Sequence, residues 1–537
     1  MLLNSITKLT LDARTSVCAL AALTALLFSM PFVLCLTLNA GFLSLANEPL
    51  AYRFFFAERI FAGETITVGV GYLISILHQI VYAVMHLFQS VANNSLEVRL
   101  DLFALITNGI LSAFVCFIFL LASLSKSLRV IDLALLTLLT LMPLYGTVMI
   151  GFDYLMMADY YSLNIILLVT TLFIFQQVWL RDKVLSRTLV IFLGIFVGLA
   201  MANKITMLVV TGVVLVPAVL ARNINMREIL IRSVLAITSL ISAFFLVHLA
   251  AYHGSAPKLI AASRIWWAFA SNPGAQPDFF NHFLDMIVRY NYGYFLLFSV
   301  VVLSLAITII FSQKKICRVA GFVAIYCLIA YLISIYFILK RPAGTTLFES
   351  TLFLFTLACV LFTVVAESRP MRNLFVISFF AWIGFASTTF SYPVVYGQIA
   401  RSQTDSKVKW GTFEKVLALA GNQPIEVIFP DNSYHHEGPF ELLLKGAADF
   451  PSWDINYGQK SIIDRYAPGM SFRHNYSQVR PEMPYANSRV LVWFDLDGNQ
   501  PLEEKYLELK KALMRPGVQR SAPPGYSHLK MHIALIP

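Results

Sequence analysis

Residues 188–220 read TLVIFLGIFVGLAMANKITMLVVTGVVLVPAVL, and Lys204 is the one charged side chain among them. A helix that crosses a bilayer needs about 20 apolar residues. We therefore expect two membrane spans here, at 188–202 and 204–221, with a break at Asn203-Lys204. Charged groups at membrane depth are costly and are a default indication of function. Lys204 is thus a candidate functional residue, and the plain alternative is a lysine that snorkels from a span end.

The rest of the chain has the same apolar character. Of its 537 residues, 58% are hydrophobic and 13% are charged, and the mean hydropathy is +0.71. A soluble protein would carry about 25% charged residues. The composition excludes a soluble enzyme, a disordered chain and a fibrous protein, and it predicts a multi-spanning membrane protein.

The net charge of +10 is unevenly distributed. Residues 395–537 carry 16 Lys and Arg against 15 Asp and Glu, whereas residues 1–394 carry 24 against 15. Basic residues between apolar spans set membrane orientation, so we expect no nucleic-acid partner. All six Cys lie in residues 1–394 without a metal-binding spacing, and we expect buried, inert thiols.

Eleven apolar runs are long enough to be spans: 16–38, 101–124, 130–150, 160–179, 188–202, 204–221, 233–252, 292–312, 319–339, 347–366 and 373–391. An odd number places the two termini on opposite sides. With the N-terminus cytoplasmic, 15 of the 24 basic residues of 1–394 fall in short cytoplasmic segments, and ten of its 15 acidic residues, Glu58 and Glu349 among them, fall outside. The two large outer loops are then 39–100 and 252–291. The half-apolar stretch 72–88 could be a further span, but its His78, Gln79 and His86 favour a helix along the membrane surface.

The tail, residues 395–537, alternates helical and strand-like patterns. It predicts helices at 412–420, 440–445 and 502–514 and strands at 425–429, 490–494 and 531–536. We expect a small α/β domain on the outer, periplasmic face. The stretch His435-His436-Glu437 is a weak metal-site candidate, because adjacent histidines point in different directions.

Three sets of polar residues on the predicted outer face require an explanation. They are the segment from Asn47 to Gly63, the pair Asp153 and Asp159, and the cations Lys204, Lys258, Arg264, Lys340 and Arg341. Each has a structural alternative: a capped interfacial helix, acids at a helix N-terminus, or snorkelling cations. Together they bring carboxylates, which act as general bases or hold a divalent metal, near cations, which bind a phosphate leaving group.

The order of these motifs resembles GT-C-type, polyprenyl-phosphate-dependent glycosyltransferases, such as protein O-mannosyltransferases and the aminoarabinose transferases of lipid A. Those families have an Asp-Glu-x-x-Tyr pattern after the first span, then a His-Pro-Pro-Leu-Tyr-like stretch and an Arg opening the second span. The matching residues here are Asn47, Glu48, Tyr52, Ala57, Gly63, His78 to Tyr82, Arg99, Asp159, Gly198 to Lys204, and Lys340-Arg341-Pro342. The resemblance covers roughly residues 15–390, and each motif alone is weak.

One departure concerns the catalytic base. The family's Asp is replaced by Asn47, and an amide cannot act as a base. Either Glu48, Asp153 or Asp159 takes this role, or the chemistry is changed or lost. The resemblance also implies substrate contacts for Asn47, Tyr52 and His78.

The resemblance implies a mainly α-helical, GT-C-like fold and a glycosyltransferase of the bacterial inner membrane. It would move a sugar from a polyprenyl-phosphate donor to a lipid, glycan or protein acceptor on the periplasmic face. Lys204, Arg264, Lys340 and Arg341 would bind the donor phosphate, and a divalent metal is an expected option. The alternatives are a transporter or flippase for a lipid-linked sugar, and a non-catalytic assembly partner.

Overall fold

The chain divides into two compact units. The helical unit comprises Met1–Leu34, Val70–Leu77 and Ile106–Val395, and the mixed unit comprises Cys35–Gly69, His78–Leu105 and Tyr396–Pro537. The structure is a computed structural model that describes residues 48–64, 71–88, 95–124, 160–179, 184–220, 224–271, 284, 293–311, 318–340, 344–365, 407–428, 438–447, 460–473, 490–496, 501, 504, 507–521 and 529–536.

Helices predominate in the described part of the chain. They are α1 (Glu48–Phe61), α2 (Tyr72–Leu87), α3 (Leu96–Leu124), α4 (Tyr160–Trp179), α5 (Arg187–Asn203), α6 (Met226–Ala251), α7 (Ala256–Ser271), α8 (Gly293–Phe311), α9 (Arg318–Lys340), α10 (Gly344–Val365), α11 (407–420), α12 (Pro439–Ala447), α13 (Lys460–Tyr466) and α14 (Leu507–Leu513). Short α and 3-10 pieces follow α5 between residues 205 and 219. The protein is mostly helical, with a small sheet.

The helix α5 begins and ends where local chemistry dictates. The Ser186 side chain accepts a hydrogen bond from the Leu189 amide at 3.2 Å, which caps the N-terminus. Asn203 ends the helix, since Lys204 has extended backbone angles (φ −154°, ψ 130°). The break therefore lies at the expected position.

Small residues let α5 and α6 pack closely. A Cβ atom at Gly198 would overlap the backbone carbonyl of Leu240 and lie 2.9 Å from the Ala243 Cβ, and one at Gly194 would overlap the Ser239 hydroxyl. Glycines four residues apart allow helix backbones in membranes to approach in this way.

At the start of α6, the Arg232 guanidinium is buried and donates to the carbonyls of Leu185 and Ala218.

The mixed unit contains a five-stranded sheet. Its strands are β1 (Ile425–Ile428), β2 (Met470–Arg473), β3 (Val490–Leu496), β4 (Gln519–Ser521) and β5 (Leu529–Leu535), in the order β2-β1-β3-β5-β4. The β1 strand pairs in parallel with β2 and β3, whereas β5 is antiparallel to β3 and β4. Apolar residues on one face of the sheet, including Ile428, Leu491 and Trp493, pack with Leu509 and Leu513 of α14.

The predicted tail elements are confirmed except for their ends, and three elements were missed. Helices 412–420, 440–445 and 502–514 correspond to α11, α12 and the shorter α14, and the three predicted strands correspond to β1, β3 and β5. The sequence did not reveal α13, β2 or β4, which have three to seven residues and too little periodicity to be recognised. His435-His436-Glu437 lies outside the described residues.

Two of the described helices are long and apolar enough to cross a membrane, Met226–Ala251 and Arg318–Phe337. They coincide with the predicted spans 233–252 and 319–339. Shorter apolar helices occur at the predicted spans 160–179, 188–202, 204–221, 292–312 and 347–366. The predicted spans 16–38, 130–150 and 373–391 lie outside the described residues. Cys327 and Cys359 are buried free thiols, as expected.

Candidate functional site

A buried polar cluster lies at the break after α5 in the helical unit. We call it the Lys204 cluster, and its members are Asn164 of α4, Asn203, Lys204, Thr206 and Glu349 of α10. Three separate chain segments thus meet at the one position where the apolar stretch 188–220 is interrupted. Because polar groups are costly in apolar surroundings unless they are paired, this arrangement is built rather than incidental.

The Glu349 carboxylate is the centre of the Lys204 cluster. Its Oε2 atom accepts a hydrogen bond from the Lys204 ammonium. Its Oε1 atom accepts from the Thr206 hydroxyl at 3.1 Å and from the Asn164 amide at 3.3 Å. The carboxylate side chain is 7% exposed and the lysine side chain is 19% exposed. The positive charge of Lys204 and the negative charge of Glu349 therefore neutralise each other in a site that is largely shielded from water.

The end of α5 is held by two further groups of the helical unit. The Asn203 side-chain amide donates to the Asn164 carbonyl oxygen at 2.7 Å, and the Asn203 backbone carbonyl accepts from the Gly71 amide at 2.8 Å. Gly71 has φ +81°, a conformation that glycine adopts without strain. The next residue, Tyr72, places its ring 3.9 Å from the ring of His248 on α6. The break is thus a stable part of the fold.

A second buried cluster lies within the mixed unit. We call it the Glu58 cluster, and it contains Glu58 of α1, Arg465 and Tyr466 of α13, and Arg99 of α3. The Glu58 carboxylate accepts from the Arg465 guanidinium through Oε1 and from the Tyr466 hydroxyl through Oε2, the latter at 2.9 Å. Its side chain is 3% exposed, whereas that of Arg465 is 54% exposed. These contacts join the loop after the first apolar run to the tail domain.

Two aromatic rings lie close to the Arg99 cation in the Glu58 cluster. The Arg99 guanidinium carbon lies 5.3 Å from the centre of the Phe54 ring and 5.3 Å from that of the Tyr466 ring. Such cation–π contacts contribute about 2 kcal/mol when they are desolvated. Burial raises the pKa of the Tyr466 hydroxyl well above its usual value, and the nearby Arg99 cation offsets this only in part. Tyr466 therefore stays protonated and donates to Glu58.

The structure describes only some of the side chains singled out from the sequence. Lys204 is paired with Glu349, Arg264 lies on α7 and is exposed, and the His78 ring is buried with its centre 5.4 Å from that of Phe103. Glu48 and Tyr52 belong to α1, and Lys340 ends α9, but their side chains lie outside the described part. Asn47, Asp153, Asp159 and Arg341 lie outside the described residues altogether.

The sequence alone missed the principal partners. Glu349 was only one of ten acidic residues predicted to lie on the outer face, and Asn164 and Thr206 were not singled out. The available signal was that Glu349 begins an apolar run, where an ionisable group is expensive. Nothing local relates Glu58 to Arg465, since they are 407 residues apart.

A divalent metal finds no ready site in the part of the chain that is described. Among those residues, no three His, Cys, Asp or Glu side chains come close enough together to hold an ion. The Lys204 ammonium already neutralises Glu349, which makes that carboxylate a poor metal ligand. We therefore derive no step through a metal.

Comparison with known proteins returned no match: no protein-family model, curated protein or solved structure is significantly similar to this chain.

Proposed function

We propose that this chain is a multi-pass membrane glycosyltransferase of the bacterial inner membrane. It transfers a sugar from a polyprenyl-phosphate donor to a lipid, glycan or protein acceptor. The observation that carries the proposal is the Lys204 cluster, in which an ammonium group lies at a break in apolar helices and faces a buried carboxylate. An intramembrane cation at such a break is suited to the phosphate of a membrane-embedded lipid.

The proposed topology has about eleven spans, with the N-terminus in the cytoplasm and residues 395–537 outside. It places the loop 39–100 and the tail on the same side. The Glu58 cluster supports this feature, because Glu58 of that loop and Arg465 of the tail belong to one compact unit. Two segments that fold together must lie on the same face of the membrane.

In the proposed reaction the acceptor hydroxyl attacks the anomeric carbon of the donor sugar. Glu48 takes the proton of that hydroxyl, and Asp153 or Asp159 orients the acceptor. The bond between the anomeric carbon and the phosphate oxygen breaks, and its electron pair leaves with the phosphate. Lys204, Arg264, Lys340 and Arg341 bind the phosphate, and Asn47 and Tyr52 contact substrate. The buried His78 ring supports the packing of α2 against α3.

The test uses the full chain in sealed vesicles, with a polyprenyl-phosphate sugar and an acceptor glycolipid supplied only on the outer side. Wild-type protein is expected to form product, and Glu48→Gln is expected to lower kcat by at least about 100-fold, the usual contribution of a general base. Glu228→Gln is the control, because Glu228 pairs with Arg187 and Arg232 at the other end of α5. Arg232 also donates to the carbonyls of Leu185 and Ala218. Full activity of Glu48→Gln contradicts the assignment of the base.

A transporter for a lipid-linked sugar is the second candidate, and one observation favours it. Transporter binding sites are often formed where apolar helices are interrupted, and an apolar stretch is interrupted at Lys204. In the same vesicles a transporter would move the labelled donor across the bilayer without forming product. A non-catalytic assembly partner, which Asn47 favours, would do neither.

A further inference from the structure

The Glu349 carboxylate has no role in the reaction proposed above, although it holds the ammonium assigned to the donor phosphate. We propose that Glu349 is a positioning residue that competes with phosphate for Lys204 and thereby promotes release of the lipid-phosphate product. This inference rests on the proposed function. It deepens that function by naming what frees the phosphate site after each turnover.

The geometry makes the carboxylate the fixed partner and the ammonium the mobile one. Glu349 is held through Oε1 by the Thr206 hydroxyl and the Asn164 amide, and neither bond involves the Lys204 ammonium, which lies on Oε2. Asn164 is itself held by Asn203. Lys204, in contrast, has a flexible four-carbon stem on extended backbone and is the more exposed of the two. The ammonium is therefore able to exchange one anion for another.

The charge of the phosphate increases during the reaction, and a competitor for Lys204 therefore favours product release. In the donor the phosphate is a diester with one negative charge. After the bond to the sugar breaks, the leaving group is a phosphate monoester, which carries a charge of about −1.5 to −2 at pH 7. A cationic site therefore binds the product more tightly than the donor. Return of Lys204 to Glu349 weakens the binding of donor and product by the same factor, and it thereby shortens the residence time of the more tightly bound product.

The expected effect on affinity follows from the fraction of molecules in which Lys204 is available. If Lys204 is paired with Glu349 in about nine of ten ligand-free molecules, the apparent Kd for a phosphate is about tenfold higher than without the competitor. Glu349→Gln should thus lower the Kd for a phosphate monoester by up to about tenfold. It should lower the KM for the donor and also lower kcat, because product release becomes slower.

The experiment measures binding of dodecyl phosphate to the full chain in lipid nanodiscs. The variants are Glu349→Gln, Glu349→Asp and the control Glu228→Gln. Glu228 pairs with Arg187, about 24 Å from Asn203 along α5 at 1.5 Å per residue. Glu349→Asp keeps the buried negative charge but is shorter, so its Kd should lie between those of the wild type and Glu349→Gln. The control should bind as the wild type does.

The outcomes separate the inference from the proposed function. Wild-type protein that binds no dodecyl phosphate overturns the donor site itself, and the inference with it. Wild-type protein that binds, while both Glu349 variants bind equally or more weakly, overturns the inference alone. If Glu349→Gln does not fold, the Kd of Glu349→Asp is the test. A Kd below the wild-type value supports the inference, and an equal or higher Kd overturns it. A merely structural role would lower kcat without lowering KM or Kd.

Discussion

The Lys204 cluster and the Glu58 cluster both bury a carboxylate beside a cation, but they differ in how far that cation is exposed to water. In the first, the lysine and glutamate side chains are 19% and 7% exposed. In the second, Arg465 is 54% exposed and Glu58 is 3% exposed, with Tyr466 as a further donor. A half-hydrated arginine serves to anchor a neighbouring segment, whereas an enclosed lysine at a helix break is suited to exchanging ligands. Removal of single charges tests this difference.

The largest expected effect is the loss of the cation in the Lys204 cluster. Lys204→Gln removes the cation altogether, whereas a lysine that turns away from Glu349 keeps its positive charge nearby. The variant leaves Glu349 charged in a dehydrated site, and it should lower the free energy of unfolding by about 3–5 kcal/mol. The double variant Lys204→Gln/Glu349→Gln should recover most of this loss, since no isolated charge remains. Unfolding by sodium dodecyl sulfate in mixed micelles measures both values. A loss below about 1 kcal/mol for the single variant would mean that the pair behaves as an exposed one.

In the Glu58 cluster, removing the charge of Arg465 should cost more stability than removing the charge of Glu58. Arg465→Met leaves the buried Glu58 charge with the Tyr466 hydroxyl, and it should cost about 3 kcal/mol. Glu58→Gln should cost only about 1 kcal/mol, because water hydrates the exposed Arg465. Urea unfolding followed by tryptophan fluorescence gives both values. If the two variants lose equal free energies of unfolding, the different exposure of Glu58 and Arg465 does not determine these losses.

The third prediction concerns the close contact between α5 and α6 at Gly198, which involves no charged group. Gly198→Ala places a Cβ against the Leu240 carbonyl, which belongs to the α6 backbone and cannot rotate away, so about 1–3 kcal/mol should be lost. Gly321→Ala on α9 is the matched control, because no atom lies within 4 Å of its Cβ position. Alanine there should be neutral or stabilise by about 0.5–1 kcal/mol. Thermal unfolding of both variants in detergent makes the comparison.

The smallest effect is a pH dependence in the mixed unit. Burial raises the pKa of Tyr466 in the folded state above the unfolded value of about 10. Above pH 10 the folded state therefore binds more protons than the unfolded state, and stability falls as the pH rises. Melting temperatures measured from pH 8 to pH 11 should decline above pH 10. The Tyr466→Phe variant should decline less steeply, and an identical decline would show that other groups are responsible.

Prediction from sequence succeeded where one short stretch contains the whole signal. The end of α5 at Asn203 follows from a lysine within an apolar run, and β1 and β3 follow from short runs rich in Val and Ile. The method failed for α13 and β2, whose few residues show no clear period. It also failed for Glu349, because its importance depends on which residues surround it.

Local sequence is enough to predict that the protein is apolar and mostly helical, and that a charge interrupts the apolar stretch at Lys204. These features depend on hydropathy over about 20 residues, which local composition specifies. The partners of the charges, in contrast, follow from the packing of distant segments. Lys204 meets Glu349 across 145 residues, and Glu58 meets Arg465 across 407. Such pairs depend on how helices pack, and no local period in the sequence records that packing.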